Sequence, residues 1–294
     1  MPAEVFHHAG LGLEVERLEA CPACGSSDSR RAFEKLGTAY QDCAGCGARF
    51  ANPRPTRAAM LARVESWGGR YADDPATLAA KVASRAGQVE LVRRFRKRGR
   101  LIDLGTGDGA FVKAARDAGF EAVGYEKSAA ACEFARRAYG VEVVQGDLNA
   151  DRFAEGKFDV VTLWDVIEHL HDPGKVIGVA RELLAPGGLL VVFTPNPRGV
   201  SARLFGSGWW AFGPKDHICL FSRQALRALF ARAGLEPLAI EARGLIELHD
   251  GSPHGLGSRA LGKLWRTTGS LFPVDRALAA ARAGDWVLGV ATAS

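Results

Sequence analysis

From Arg100 onward, short apolar runs alternate with stretches whose apolar residues recur every three or four positions. Short apolar runs fit strands buried on both faces, and the 3.6-residue period between them fits helices laid over those strands. The pattern predicts a strand at Leu101–Leu104, a helix at Ala110–Ala118, a strand at Ala122–Tyr125 and a helix at Ala129–Tyr139. It continues with strands at Val141–Val144 and Phe158–Trp164, a helix around Lys175–Leu184 and a strand at Leu189–Phe193. A helix at Arg223–Ala233, a strand near Leu238–Glu241 and a last strand at Trp286–Ala291 complete the series. Strands that alternate with helices in this way predict an α/β fold around a mostly parallel sheet.

The amino-terminal part follows a different rule. Cys21-Pro-Ala-Cys24 and Cys43-Ala-Gly-Cys46 are two C-x2-C pairs with 18 residues between them, the spacing of a four-cysteine zinc ribbon. Gly25 and Gly47 each follow the second cysteine of a pair. There they can supply the positive φ that turns backbone N–H groups toward the sulfurs. Four thiolates leave a metal no open position, so the expected zinc is structural. Two disulfides are the competing reading. Cys132 and Cys219 stand alone and are expected to pack. Asn52-Pro-Arg-Pro55 reads as a stiff exit, and Thr56 to about Arg98 as a helical connection. The expected organisation is thus a ribbon over residues 1–55, a helical linker over 56–98 and an α/β domain over 99–294. A mostly helical insert at about 245–285 interrupts that last domain.

Candidate chemistry concentrates at Leu101-Ile-Asp-Leu-Gly-Thr-Gly-Asp-Gly-Ala-Phe111, a strand running into a glycine turn and then a helix. Gly105, Gly107 and Ala110 also satisfy a dinucleotide fingerprint, so the glycines alone leave a nicotinamide or flavin enzyme open. Asp103 separates the two readings. A carboxylate there repels a pyrophosphate and attracts a cationic amino-acid end. Glu126 ends the next strand about 20 residues further on, where an acid can accept ribose hydroxyls. Together these residues resemble the class I S-adenosylmethionine-dependent methyltransferases, which implies a Rossmann-like, mostly parallel seven-stranded sheet. The resemblance implies S-adenosylmethionine on Asp103, Gly105, Thr106, Gly107, Glu126 and Lys127. It also implies Asp147 and Leu148 near the adenine, with Trp164 and Asp165 lining the other side. Leu184-Ala-Pro-Gly-Gly-Leu-Leu-Val-Val-Phe193 is similar to the family's turn into its fifth strand.

Trp164-Asp-Val-Ile-Glu-His-Leu-His-Asp-Pro173 resembles the same region of ubiquinone-biosynthesis O-methyltransferases. In some of them an acid, a glutamate and a histidine at this spacing hold a divalent metal; the matching residues are Asp165, Glu168 and His169. The alternative has Glu168 and His169 packing the cofactor loop and His171 facing solvent. Gly208-Trp-Trp-Ala-Phe-Gly-Pro-Lys-Asp-His-Ile-Cys-Leu-Phe221 falls at the carboxyl end of the sheet. Its two tryptophans suggest a mobile aromatic wall for a sugar or ring compound. His217 and His169 are the candidate catalytic histidines, with His217 the expected general base. The expected reaction is O-methylation of a sugar, glycoconjugate or natural-product intermediate. A zinc-ribbon rRNA methyltransferase and a non-catalytic binding protein stay open as alternatives.

Bulk properties narrow the partners. Hydrophobic residues make up 47% and charged residues 24%, an ordinary globular balance that disfavours disorder. The net charge of +5 spreads over 38 basic and 33 acidic residues, too even a balance to make nucleic acid the expected partner. Arg93, Arg94, Arg96, Lys97, Arg98 and Arg100 read as a solvated helix end. No apolar run approaches the roughly 20 residues of a membrane span, and the first residues lack a leader pattern, so the expected location is the cytoplasm. The insert near Arg259, Lys263, Trp265 and Arg266 could cover substrate, lie on a membrane surface or make a homodimer contact.

Overall fold

The computed structural model describes residues 4–67, 74–148, 157–244 and 283–293. The expected insert falls almost wholly outside these residues. Three sheets form. The first joins β1 (Val5–His8), β2 (Leu13–Glu16) and β6 (Arg54–Pro55). The second joins β3 (Ser29–Lys35), β4 (Thr38–Cys43), β5 (Arg49–Asn52) and, from far along the chain, β12 (Cys219–Leu220). The third is the seven-stranded sheet that the alternation predicts. Its strands are β7 (Gly99–Leu104), β8 (Phe120–Glu126), β9 (Val143–Gln145), β10 (Phe158–Trp164), β11 (Leu184–Pro195), β13 (Leu235–Arg243) and β14 (Trp286–Ala293). They lie in the order β13-β14-β11-β10-β7-β8-β9. The pairs among β11, β10, β7, β8 and β9 are parallel, whereas β14 runs antiparallel to β11 and β13.

Period-two alternation explains the continuous apolar runs. Leu101, Val160, Leu189 and Val191 face one layer, and Ile102, Val161, Leu190 and Val192 face the other, and all are buried. Each such side chain contributes about 1.5–3 kcal/mol on burial, so an acid at Val161 would break the sheet's centre. The first layer is covered by α3 (Ala86–Arg93) and by α4 (Ala110–Asp117) with its Phe111, Val112 and Ala115. Α5 (Ala129–Tyr139) joins them there through Cys132 and Ala135. The opposite layer holds α6 (Pro173–Leu183), α8 (Arg223–Arg232) and the ribbon cysteines Cys21, Cys43 and Cys46.

Local chemistry sets the helix ends. Ser128, Asp172 and Ser222 each accept a backbone N–H three residues on, at the starts of α5, α6 and α8. Pro173 occupies the first turn of α6, where its missing N–H costs nothing. The expected linker resolves into α1 (Arg57–Trp67), α2 (Pro75–Ser84) and α3. A short helix, α7 (Val200–Phe205), follows β11. Among the described residues no helix is long and apolar enough to cross a membrane.

Candidate active site

The glycine turn after β7 separates two chambers at the carboxyl ends of the parallel strands. Gly105 has φ 76°, and a Cβ on it would meet Val166 at 2.7 Å, so that position admits only glycine. Gly107 also has a positive φ, but a Cβ there would stand in open space, where a ligand can approach the backbone. The first chamber, about 260 Å³, is lined by Gly105, Gly107, Tyr125, Glu126, Lys127, Asp147, Leu148, Asp165 and His169, with Arg57, Met60 and Leu61 of α1 opposite. The second, about 290 Å³, is lined by Asp103, Thr106, Asp108, Phe111, Trp164 and Asp165, with Arg85 and Gln88 from the start of α3. All ten residues expected around the cofactor therefore line one chamber or the other.

Their roles differ in detail from the expectation. Glu126 is also a backbone staple: Oε2 accepts the Gly107 N–H at 2.9 Å, and Oε1 accepts those of Lys127 and Ser128 at 2.8 and 2.9 Å. A carboxylate has about four acceptor positions, so capacity remains toward the chamber. Asp147 accepts from Arg57 and Lys127, each at 2.6 Å. Asp103 is buried and accepts the Thr162 hydroxyl at 2.6 Å. Burial pushes its carboxyl up to about 7, against the pull of that hydrogen bond. Asp165 takes a left-handed φ of 56°, rare outside glycine. Burial first, then the nearby Glu168, raise its carboxyl to about 8.

The second chamber holds buried polar atoms without a hydrogen-bond partner: Gln88 Oε1, Trp164 Nε1 and Asp165 Oδ1. Orphaned buried polar groups are costly. Acceptors on Asp103 and Asp165 beside donors on Trp164 and Arg85 suit a group bearing both an ammonium and a carboxylate. The methionine end of S-adenosylmethionine is such a group, so the residues present fit this cofactor.

Beyond the first chamber lies a cluster of Glu168, His169 and His217, whose ligand-capable atoms lie within 4.8 Å of one another. The third member of this group is His217, whereas the resemblance pointed to Asp165. Glu168 is buried, accepts the Thr194 hydroxyl at 2.9 Å and is raised to about 7 by burial. His169 Nδ1 lies 2.8 Å from the Asp216 carbonyl, and His217 Nδ1 lies 2.8 Å from that of Ala211. A carbonyl only accepts, so both Nδ1 atoms carry the hydrogen and both neutral rings keep their lone pair on Nε2. Burial lowers both, His217 to about 4. The rings stand 4.8 Å apart between centroids. His169 is among the residues that line the chamber, and His217 is not.

Other expectations are corrected here. Trp209 is fully buried against Tyr40 and Phe212 and belongs to a core cluster; it is not a mobile wall, because the loop's apolar side chains are claimed by the amino-terminal sheet. His171 does not face solvent; its half-buried ring donates from Nε2 to the Pro55 carbonyl at 2.9 Å. Arg57, Met60, Arg85 and Gln88 were not legible as site residues, since they sit in helices without a motif. The four ribbon cysteines do converge. Their Sγ atoms pair at 3.8 Å for Cys21 with Cys46 and 3.4 Å for Cys24 with Cys43, and all four are free thiols. A tetrahedral zinc with bonds of about 2.3 Å places its sulfurs roughly 3.8 Å apart, so the donor set fits that ion. Gly25 and Gly47 have φ of 75° and 78°, as the knuckles require.

The strand order, the glycine turn and the acids at successive strand ends define a Rossmann-like enzyme that binds a nucleoside-bearing cofactor. A family model described as a methyltransferase domain matches residues 74–240. The chain belongs to the class I S-adenosylmethionine-dependent methyltransferases. It is 30% identical over 158 residues to a ubiquinone biosynthesis O-methyltransferase of Cereibacter sphaeroides, covering 50% of this chain and 63% of that one. It is 32% identical over 161 residues to a demethylmenaquinone methyltransferase of Thermus thermophilus, covering 46% and 73%. The chain thus spans less than two-thirds of the length of the first of these relatives. A solved S-adenosylmethionine-dependent methyltransferase from Thermotoga maritima superposes with a TM-score of 0.55 at 18% identity, over 80% of this chain and 100% of that one.

Proposed function

We propose that this methyltransferase acts on a hydroxyl oxygen of a small-molecule acceptor, a sugar, glycoconjugate or natural-product intermediate. The observation that carries the reading is His169. It lines the first chamber beside Asp165, its Nδ1–H is committed to a backbone carbonyl, and burial keeps the ring neutral. Such an imidazole accepts a hydroxyl proton at Nε2, and His217 behind it holds the pair in place. Similarity to a ubiquinone biosynthesis O-methyltransferase supports oxygen as the acceptor atom.

When bound, S-adenosylmethionine would supply an electrophilic methyl group on a sulfonium. Glu126, Lys127, Asp147 and Leu148 would hold its nucleoside in the first chamber, with Glu126 toward the ribose and Asp147 toward the adenine. Asp103, Thr106, Trp164, Asp165, Arg85 and Gln88 would hold its amino-acid end in the second. Gly105 and Gly107 would let it cross between the two. Most of the rate would come from holding the acceptor oxygen in line, a positioning effect worth up to about 7–11 kcal/mol in favourable systems. Cys21, Cys24, Cys43 and Cys46 would bind a structural zinc. The test is methyl transfer from labelled S-adenosylmethionine to a panel of catechols, sugars and primary amines. Transfer to hydroxyl acceptors supports the reading, and transfer confined to amines overturns it.

A further inference from the structure

We infer that the four-cysteine ribbon is the positioning frame of the acceptor-side loop: it sets where His217, and with it His169, stands, while the cofactor cradle is assembled without it. The inference rests on the proposed role of the two histidines. Strand β5 of the ribbon pairs with β12 of the loop, Phe50 opposite Cys219 and Arg49 opposite Leu220. One residue earlier, the Ala51 N–H donates to the Ile218 carbonyl at 3.0 Å, and the Ile218 N–H donates to the Glu168 carbonyl at 2.9 Å. A single residue thus links the ribbon on one side to the Glu168–His169 turn on the other.

The two residues before Ile218 are also held from the amino-terminal part of the chain, one by β4 and one by α1. The hydroxyl of fully buried Tyr40, on β4, donates to the His217 carbonyl at 3.1 Å. Arg63 of α1 clamps Asp216 with two bonds of 2.8 and 2.9 Å. Further back, Lys35 Nζ donates to the Trp209 carbonyl at 3.0 Å. Side chains reinforce the frame. Phe33, Tyr40, Phe212 and Trp209 pack with ring centroids 4.7–5.4 Å apart. Arg49, paired with Asp42, lies over the rings of Phe33 and Phe212.

Bonds within the parallel sheet and its turns account for the cradle instead. Glu126 is stapled by Gly107, Lys127 and Ser128, and Asp103 by Thr162. Contacts from the amino-terminal third also reach the first chamber, through Arg57 on Asp147 and through Arg54 and Pro55 on His171, while Glu126 and the glycine turn are held from within the sheet. A metal that closes the two cysteine knuckles ties the Cys21–Cys24 turn to the turn between β4 and β5, the strands that carry Tyr40 and Ala51. Its loss would release the loop while sparing the glycine turn.

The test uses the full chain in three forms: zinc-loaded, stripped of zinc with a thiol-specific mercurial and chelator, and Tyr40→Phe with zinc retained. Hydrogen exchange followed by mass spectrometry reads residues 206–221 and 101–111 separately, with S-adenosylhomocysteine as the cofactor probe. Zinc removal is expected to speed exchange in 206–221 by about tenfold or more, with protection of 101–111 by the probe retained. Its affinity should stay within about threefold. In Tyr40→Phe, exchange in 206–221 should rise by about twofold to fivefold, and the ring carbon–proton resonance of His217 should move while that of His171 stays. Unchanged exchange in 206–221 on zinc loss, or equal opening of 101–111, overturns the inference. An unmoved His217 resonance in Tyr40→Phe removes the Tyr40 link and overturns it at that residue. Loop opening as expected, combined with normal methyl transfer by His169→Gln, would sink the catalytic reading and leave the ribbon's positioning role standing.

Discussion

The two halves of the proposed active site are built by opposite means. The cofactor cradle comes from segments read in chain order, β7 with its glycine turn, then Glu126, then Asp147, each at the end of the next strand. The acceptor side is gathered from Tyr40, Arg63, His169 and His217, which no local pattern connects. Hydrogen bonds among neighbouring strands and turns make the cradle a property of the parallel part of the sheet. Long-range ones make the acceptor side a property of the whole chain. It follows that cofactor binding and acceptor chemistry can be damaged separately, and that contrast can be broken or sharpened by experiment.

The largest expected effect is on the acceptor side. His169→Gln should lower kcat by about 10²-fold or more while S-adenosylhomocysteine affinity stays within about threefold. A steady kcat in stopped assays would break the comparison at its base. On the cradle side, Glu126→Ala removes the acceptor of three backbone N–H groups and should weaken that ligand by about 2–3 kcal/mol, roughly 30- to 150-fold. Calorimetry showing unchanged affinity would mean the turn holds without its staple.

A smaller effect is carried by protons. Asp103 and Asp165 have folded pKa values of about 7 and 8, above those of the unfolded chain. Their neutral forms therefore favour the folded state fully below about pH 4, and that contribution fades as pH rises through 7 and 8. A cationic ligand needs the charged forms, so binding should release protons and tighten from pH 6 to 8, by up to about tenfold per pH unit for each acid that must ionise. Titrations in two buffers of different ionisation enthalpy give the proton count; uptake of protons would reverse the assignment. The smallest effect is expected at Arg57→Met. Its ion pair with Asp147 is half exposed, so the loss should be about 0–1 kcal/mol of ligand affinity. A loss as large as that of Glu126→Ala would make the rim as important as the floor.

The same contrast explains what was legible in the amino-acid sequence. The seven-stranded sheet could be read because its strands are apolar on both faces, and the cradle because glycines and acids recur at fixed distances along one strand–turn–helix path. Boundaries moved by a few residues: β9 begins at Val143, and β13 extends over Leu235–Arg243. The cysteine pairs could be read because metal ligation imposes spacing. The pairing of β5 with β12 could not, since a two-residue strand has no periodicity and its partner lies about 170 positions away. For the same reason Trp209 looked like a binding wall: an aromatic pair between glycines does not reveal that Tyr40 and Phe212 enclose one member of it. Arg85 and Gln88 escaped notice because a helix presents polar residues in every turn, and only folding brings these two to the second chamber.

The shared strand pair also bears on how such an enzyme can be divided. Pro55 looks like a seam, yet the backbone ladder crosses it: a chain cut there would leave Cys219 and Leu220 as a bare edge with unpaired amide and carbonyl groups. Exposed edges of that kind invite pairing with other chains. A severed catalytic segment would therefore face self-association as well as a misplaced histidine, and exchanging ribbons between relatives would mean exchanging the 208–221 loop with them.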